Sequence, residues 1–158
     1  MISDSQSQVR VKTALPQDDI VFRSMTMSEE ISTPFEIGLD LLSEDDSIDF
    51  DAVLGNNVTV SLDRPQGGER YFSGFCTAFS FTGMQGRLFA YHATVSPWLW
   101  FLTQTETCRI FHEKGPLAIV KEVFNRNGFS GYRDDTTGSY PDYEYCVQYN
   151  ETDFNFVS

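Results

Sequence analysis

Three groups of residues in the 158-residue chain are of types that could do chemistry. The first is the acidic run Glu44-Asp45-Asp46-Ser47-Ile48-Asp49-Phe50-Asp51, crowded enough with carboxylates to raise the question of a calcium loop. Counted from Asp45, the twelve-residue calcium template wants glycine sixth and glutamate twelfth, but Phe50 and Asn56 stand there. The run therefore reads as a solvated acidic turn. The second group is Cys108 and His112, both zinc-ligand types. If they lie in one strand, four residues at about 3.3 Å each put them about 13 Å apart, too far to share an ion held at about 2.0–2.3 Å. The third is His92, which falls in the middle of an alternating run and reads as a half-buried structural imidazole. Neither G-x-S-x-G nor a glycine-rich strand-to-helix phosphate loop is present. No catalytic residue, cofactor-binding residue or metal ligand is assigned, and no cofactor is expected.

Composition narrows the class further. With 41% hydrophobic and 15% aromatic residues the chain can build a core. A formal net charge of −12, with the 11 Lys and Arg scattered singly, excludes a phosphate-backbone partner, because nucleic-acid binders need a clustered basic surface. The N-terminus MISDSQSQVRVK has no basic segment followed by an apolar run, so no secretory signal is read there. Three isolated cysteines, Cys76, Cys108 and Cys146, form no C-x-x-C pair and read as reduced thiols of a cytosolic protein.

The elements that position these residues are mostly strands. Val9 and Val11 alternate with Arg10 and Lys12 before a turn at Pro16-Gln17-Asp18-Asp19. A second strand sets Ile20, Phe22 and Ser24 against Val21, Arg23 and Met25. The clearest alternation follows Pro34, with Phe35, Ile37, Leu39 and Leu41 on one face. Asp51 to Gly55 reads as one helical turn ended by glycine. Val58, Val60 and Leu62 then lead through Pro65-Gln66-Gly67-Gly68 into a long hairpin partner. There Tyr71, Phe75, Phe79 and Phe81 fall on one side, with Phe72, Gly74, Cys76 and Ala78 on the other, so both faces are expected to be partly buried. Gly74 suggests a bend or a close backbone approach. After a turn at Gly83-Met84-Gln85-Gly86, the strand 87–95 brings Phe89, Tyr91, Ala93 and Val95 to one face.

Ser96-Pro97 ends that pattern, since proline fixes φ and lacks an amide donor. The dense apolar stretch from Trp98 to Leu102 must cover something. Read by itself, it is a plug closing the end of a barrel or sandwich. Cys108 to Phe111 is a short strand, and Gly115-Pro116 opens a helix with the stripe Leu117, Val120, Val123 and Phe124. Asn127-Gly128 supplies its left-handed stop, so Gly128 is expected at positive φ. Residues 130–142 form a polar loop, and Tyr143, Tyr145, Val147 and Tyr149 alternate as a last strand. A helix begins at Thr152, with Asp153, Phe154, Phe156 and Val157 in its opening turn. A helix only just begun suggests a fragment of something longer.

Four stretches together carry a resemblance: Phe35-Glu-Ile-Gly-Leu39, Ser96-Pro-Trp-Leu-Trp-Phe-Leu-Thr103, Thr107-Cys-Arg-Ile-Phe111, and Tyr145-Cys-Val-Gln-Tyr-Asn-Glu-Thr-Asp-Phe-Asn-Phe-Val-Ser158. In order and spacing, from about residue 7 to the last, they resemble the N-terminal region of the VgrG family, the trimeric spike proteins of type VI secretion, themselves similar to baseplate hub proteins of contractile-tailed phages. The resemblance implies β-barrel domains related to the tube protein. It implies three copies forming a six-fold-like ring on which the Hcp tube is built. It also implies a β-helical needle outside this sequence, tipped by a PAAR protein or carrying an effector, and contacts with other baseplate proteins. It makes Pro97, Trp98, Trp100, Cys108, Arg109, Phe111, Gly128, Tyr145, Cys146, Tyr149, Glu151, Asp153 and Phe154 the family-motif structural residues. The sequence departs from the family in having Asn150 where arginine is common beside Glu151, and in the less basic Gln104, Thr105 and Glu106.

The expected fold is thus mainly β (α+β). An antiparallel β-barrel over about residues 7–100 is followed by the beginning of a second α+β domain over about 107–158. The expected role is structural and non-enzymatic, with assembly in the bacterial cytoplasm before secretion by the type VI machine without a signal peptide. The alternatives are a phage tail baseplate hub, or a barrel binding a small apolar or carbohydrate ligand in an aromatic cup over 69–95. Without the needle, the chain is expected to be monomeric or weakly dimeric.

Overall fold

A computed structural model describes residues 9–16 and 19–158; Gln17 and Asp18 of the first expected turn lie outside the described residues. The chain divides into two compact units, the first ending at Pro97 and the second running Trp98–Ser158.

In the first unit the strands are β1 (Val9–Lys12), β2 (Val21–Glu30), β3 (Thr33–Ser43), β4 (Asn57–Asp63), β5 (Glu69–Gln85) and β6 (Leu88–Ser96). They form one antiparallel sheet in the order β1-β4-β5-β6-β3-β2, curled into a half-barrel. This is the mainly β fold expected. The period-two pattern of β3 points Ile37, Leu39 and Leu41 inward, each at most 1% exposed. Val58 and Val60 of β4, and Tyr91, Ala93 and Val95 of β6, meet them in the same core. Full burial of each such aliphatic side chain contributes about 1.5–3 kcal/mol, so the alternation alone aligns these strands. Between β3 and β4 the acidic run folds as the expected turn, with a 3-10 turn at Phe50–Ala52 capped by the Asp49 side chain and Gly55 at φ 72°.

Two strands depart from the sequence reading for one reason. In β5 the pairing register slips between Cys76 and Ala78, so Phe72 and Cys76 ahead of the bulge and Phe79 beyond it all face the same core. One extra residue reverses the parity of everything after it. On the face opposite Phe72 and Cys76, Phe75 is half-buried and Tyr71 exposed, so both faces are partly buried as expected, while Phe81, on the side of Phe79, is half exposed and packs against Phe89 and Tyr91. In β2 a slip between Phe22 and Ser24 likewise brings Phe22, Met25 and Met27 to one face. The turn between β5 and β6 is also tighter than expected, because β5 continues to Gln85 and Gly86 takes φ 64°. Gly74 is the close approach anticipated: a Cβ there would lie 2.6 Å from the Ser96 carbonyl oxygen.

The second unit opens with a 3-10 turn, Trp98–Thr103, followed by β7 (Glu106–Lys114), α1 (Pro116–Arg126), β8 (Tyr143–Thr152) and α2 (Asp153–Val157). β7 and β8 pair as a two-stranded antiparallel sheet. The Trp stretch is a core element of this unit. Leu102 is fully buried with Phe111, Ile119 and Val123, and Trp98 packs edge-on against Phe124 at 4.9 Å and stacks on Phe129 at 4.8 Å. On α1 the docking face is set by Ile119 and Val123, one turn apart, while Leu117 and Val120 flank it half-buried. The helix ends as anticipated, with Gly128 at φ 81° and the paired bonds Phe129 N–H to Phe124 O (3.0 Å) and Gly128 N–H to Asn125 O (3.0 Å) closing a Schellman cap. The polar loop 130–142 is tied to α1 by Lys121 Nζ and Asp134 at 2.5 Å.

Candidate functional site

The highest concentration of buried polar chemistry lies in the second unit, around Asp153. Thr152 caps α2, its Oγ1 accepting from Asn155 N–H at 3.1 Å, and this fixes Asp153 as the first helical residue with its side chain turned inward and no exposed surface. Its Oδ1 accepts from Gln148 Nε2 at 2.8 Å and Thr107 Oγ1 at 3.4 Å. Its Oδ2 accepts from Asn127 Nδ2 at 2.8 Å, Arg109 Nη2 at 3.2 Å and Thr105 Oγ1 at 3.3 Å. Its own N–H donates to the Thr105 carbonyl at 2.9 Å. One carboxylate thus joins the turn before β7, β7 itself, the end of α1, β8 and α2.

Electrostatics follow from that shell. Burial pushes the Asp153 carboxyl upward, but hydrogen bonds from Gln148 and Asn127 together with the Arg109 guanidinium outweigh it and hold the group below the usual carboxylate range. Arg109 and Gln148 face each other in the β7–β8 register, and each keeps one buried atom, Nη1 and Oε1, without a protein partner. The arrangement clamps elements together.

The structure gathers some of the family-motif residues and disperses others. Arg109 and Asp153 meet directly. Phe111 stacks on Phe156 at 5.5 Å, and Trp98, Cys146 and Phe154 pack against the same core. Cys108 is exposed, its Sγ accepting from Asn150 N–H at 3.4 Å; Asn150 itself sits at φ 48°, a left-handed conformation asparagine tolerates. The Glu151 carbonyl accepts from Gln148 Nε2 at 3.2 Å. Pro97 is half-buried after β6, and the Trp100 ring meets Phe101 at 5.4 Å. Tyr145 and Tyr149 lie apart from all of these, 64% and 76% exposed. Sequence reasoning missed Thr105, Thr107, Asn127 and Gln148. Each is a neutral polar residue, and nothing in its local pattern distinguishes a buried donor from a wet one.

Elsewhere, His92 is the structural imidazole expected, its Nδ1 2.9 Å from Asp40 Oδ1 on the outer face of the first sheet. Ser24 Oγ donates to Asp40 Oδ2 at 2.6 Å, and these two bonds, Ser24 first, lower the Asp40 carboxyl. Burial pushes the Cys76 thiol up to about 11, which makes it a core atom rather than a nucleophile. Among the described residues no group of three or more His, Cys, Asp or Glu could hold a metal ion.

Residues 28–158 match the family model described as phage tail baseplate hub (GPD). Among curated proteins, the chain is 39% identical over 150 residues to the type VI secretion system spike protein VgrG1b of Pseudomonas aeruginosa, covering 95% of this chain and 20% of that protein. It is 37% identical to VgrG1c of the same organism, over all of this chain and 22% of the relative. The chain therefore spans about a fifth of the length of these relatives. Among solved structures, the Escherichia coli c3393 protein, described as a type VI component structurally similar to the T4 tail proteins gp27 and gp5, superposes with a TM-score of 0.80 at 24% identity. That superposition covers 94% of this chain and 41% of the other. A tail protein from Neisseria meningitidis superposes at 0.56 with 9% identity, over 95% and 43%. On the family match over residues 28–158, this chain belongs to the phage tail baseplate hub (GPD) family, with type VI secretion spike proteins among its relatives.

Proposed function

We propose that the chain is a structural, non-enzymatic part of a type VI secretion spike. In this reading the first unit is a tube-protein-like barrel and the second begins a further α+β hub domain. The observation that carries it is near-complete coverage at 39% identity by a spike protein. The internal physics agrees, because the most elaborate polar cluster is spent on joining five segments rather than on a cleft. The rival ligand cup would have to use the aromatic residues of 69–95, and of these Phe79 and Tyr91 are already buried in the packed core of the first unit.

The work of such a part is assembly. Three copies, in a protein carrying the needle, present a ring to the hexameric Hcp tube, contact the baseplate, and support a PAAR tip or effector through segments outside this sequence. Assembly takes place in the bacterial cytoplasm, and the type VI machine then carries the spike out without a signal peptide. The test is capture of a purified Hcp tube by the dilute chain, read by co-sedimentation and by electron microscopy of tube ends. Tubes capped at one end are expected. Tubes that neither sediment with the chain nor carry it at an end overturn the reading.

A further inference from the structure

The residue pair that stops α1, Asn127-Gly128, is also a chemically labile dipeptide. In an Asn-Gly pair the glycine nitrogen can attack the asparagine carboxamide, because glycine puts no Cβ in the way and its backbone turns freely into the ring-closing conformation. Asn127 is the asparagine that glycine follows; Asn56, Asn57, Asn125, Asn150 and Asn155 precede Asn, Val, Arg, Glu and Phe. The folded chain ties down both reacting groups. Asn127 Nδ2 donates to the Val123 carbonyl at 2.9 Å and to Asp153 Oδ2 at 2.8 Å, so both of its hydrogens are engaged. The Gly128 N–H donates to Asn125 O at 3.0 Å, and the Asn127 N–H to Phe124 O at 3.1 Å. Ring closure requires the carboxamide carbon to swing onto the Gly128 nitrogen. That motion breaks the bonds to Val123 and Asp153 together, and so opens the Asp153 cluster.

We propose that Asn127 is a deamidation site, closed while the second unit is folded and opened when that unit unfolds, and that its product destabilises the Asp153 cluster. In the reaction the Gly128 nitrogen gives up its proton and bonds to Asn127 Cγ. The Cγ–Nδ2 bond breaks, and ammonia leaves with that proton, closing a succinimide ring. Water then adds to one of the two ring carbonyls and leaves aspartate or isoaspartate at position 127. Water is consumed and ammonia released; nothing is oxidised or reduced. The consequence follows from what faces the side chain. A carboxylate oxygen in place of Nδ2 stands against the Val123 carbonyl oxygen and the Asp153 carboxylate, acceptors with no hydrogen left between them. The guanidinium at this cluster, Arg109, already serves Asp153. Isoaspartate also lengthens the backbone at the helix stop, where the cap is built on Gly128 at φ 81°. A chain that has once opened and reacted therefore refolds to a weaker second unit. The inference stands apart from the spike reading.

The test incubates the 158-residue chain in mildly alkaline buffer, folded and, in parallel, unfolded in guanidinium chloride, and follows each asparagine by peptide mapping with mass spectrometry. In the unfolded chain Asn127 is expected to convert ahead of the other asparagines. In the folded chain its conversion should be slower by roughly tenfold or more, since only the locally opened fraction reacts. Gly128→Ala should slow conversion of the unfolded chain by roughly tenfold, because the added Cβ crowds the attacking nitrogen. Asn127→Asp supplies the product directly and should lower the denaturant midpoint read by tryptophan fluorescence. Asn155→Asp, which adds the same charge at an exposed position of the same unit, should leave that midpoint near the wild-type value. Equal rates in the folded and unfolded chains overturn the closed site, and so does conversion of the unfolded chain with no preference for Asn127 or no effect of Gly128→Ala. These comparisons stand even if Asn127→Asp fails to fold, because none of them uses it. A midpoint that Asn127→Asp leaves unchanged, or that Asn155→Asp lowers equally, overturns the consequence drawn for the Asp153 cluster.

Discussion

The two sheets obey the same period-two geometry and use it in opposite senses. In β3 and β6 the apolar residues of the alternation, Ile37, Leu39, Leu41, Tyr91, Ala93 and Val95, are the buried ones. In β8 the apolar residues Tyr143, Tyr145, Val147 and Tyr149 are the exposed ones, and Gln148 between them has no exposed surface. The first sheet is held by hydrophobic burial, which is non-directional and additive over many residues. The second unit adds to a smaller apolar core a directional cluster in which every member depends on one carboxylate. A cluster of that kind fails abruptly when one group is removed.

Removing Asp153 is the sharpest way to expose this difference. Asp153→Ala leaves the Arg109 charge buried without its partner and is expected to cost about 3–5 kcal/mol. Both tryptophans belong to the second unit, so tryptophan fluorescence in a denaturant titration reads the loss there, while amide exchange in β3 and β6 reads the first sheet. Equal loss of protection in both would break the contrast. Acid provides the same test without mutation. Because the folded-state carboxyl lies below its unfolded value, its contribution is complete above the unfolded value near about pH 3.9 and is lost as pH falls through the folded one. Fluorescence of the wild type should therefore change below about pH 4, and that acid step should be absent from Asp153→Asn.

The apolar part of the second unit comes next in size. Trp98→Ala removes a ring packed against both Phe124 and Phe129 and is expected to cost about 3 kcal/mol, with a smaller loss for Trp100→Ala. Denaturant midpoints of the two variants check the order. In the first unit Gly74→Ala places a methyl 2.6 Å from the Ser96 carbonyl and 2.8 Å from Val95 Cγ1. The strands must part, at about 1–3 kcal/mol, and exchange of β5 and β6 amides should quicken while tryptophan fluorescence holds. Gly128→Ala is the mildest, about 1 kcal/mol for an alanine forced to φ 81°. Its thermal midpoint should fall by a few degrees.

Much of the architecture was legible before any coordinates. The β3 core face, the Gly55 and Gly128 stops, the Thr152 cap and the polar 130–142 loop are local devices, each set by a few adjacent residues. The bulges in β2 and β5 were not legible, because a register slip belongs to a pair of strands and the alternation of one strand cannot show it. Of the candidate site, Arg109 and Asp153 were named through the resemblance, but as motif members with no contact assigned. Their partners Asn127 and Gln148 lie 26 and 5 residues from Asp153 along the chain, and they become ligands of its carboxylate only when α1 and β8 have docked.

Sequence by itself determined the mainly β class, the strand-to-helix order, the turn chemistry and the family, since these depend on short-range sterics, periodicity and residue identity at fixed spacing. Only tertiary structure decided which face of β8 is the inside. Alternation states that a strand has two different faces, and burial usually goes to the apolar one. Here the inward positions of β7 and β8 meet a carboxylate that five side chains satisfy, so Gln148 is buried and the tyrosines are left outside. That choice is made by the sum of contacts across five segments, and no single segment encodes it.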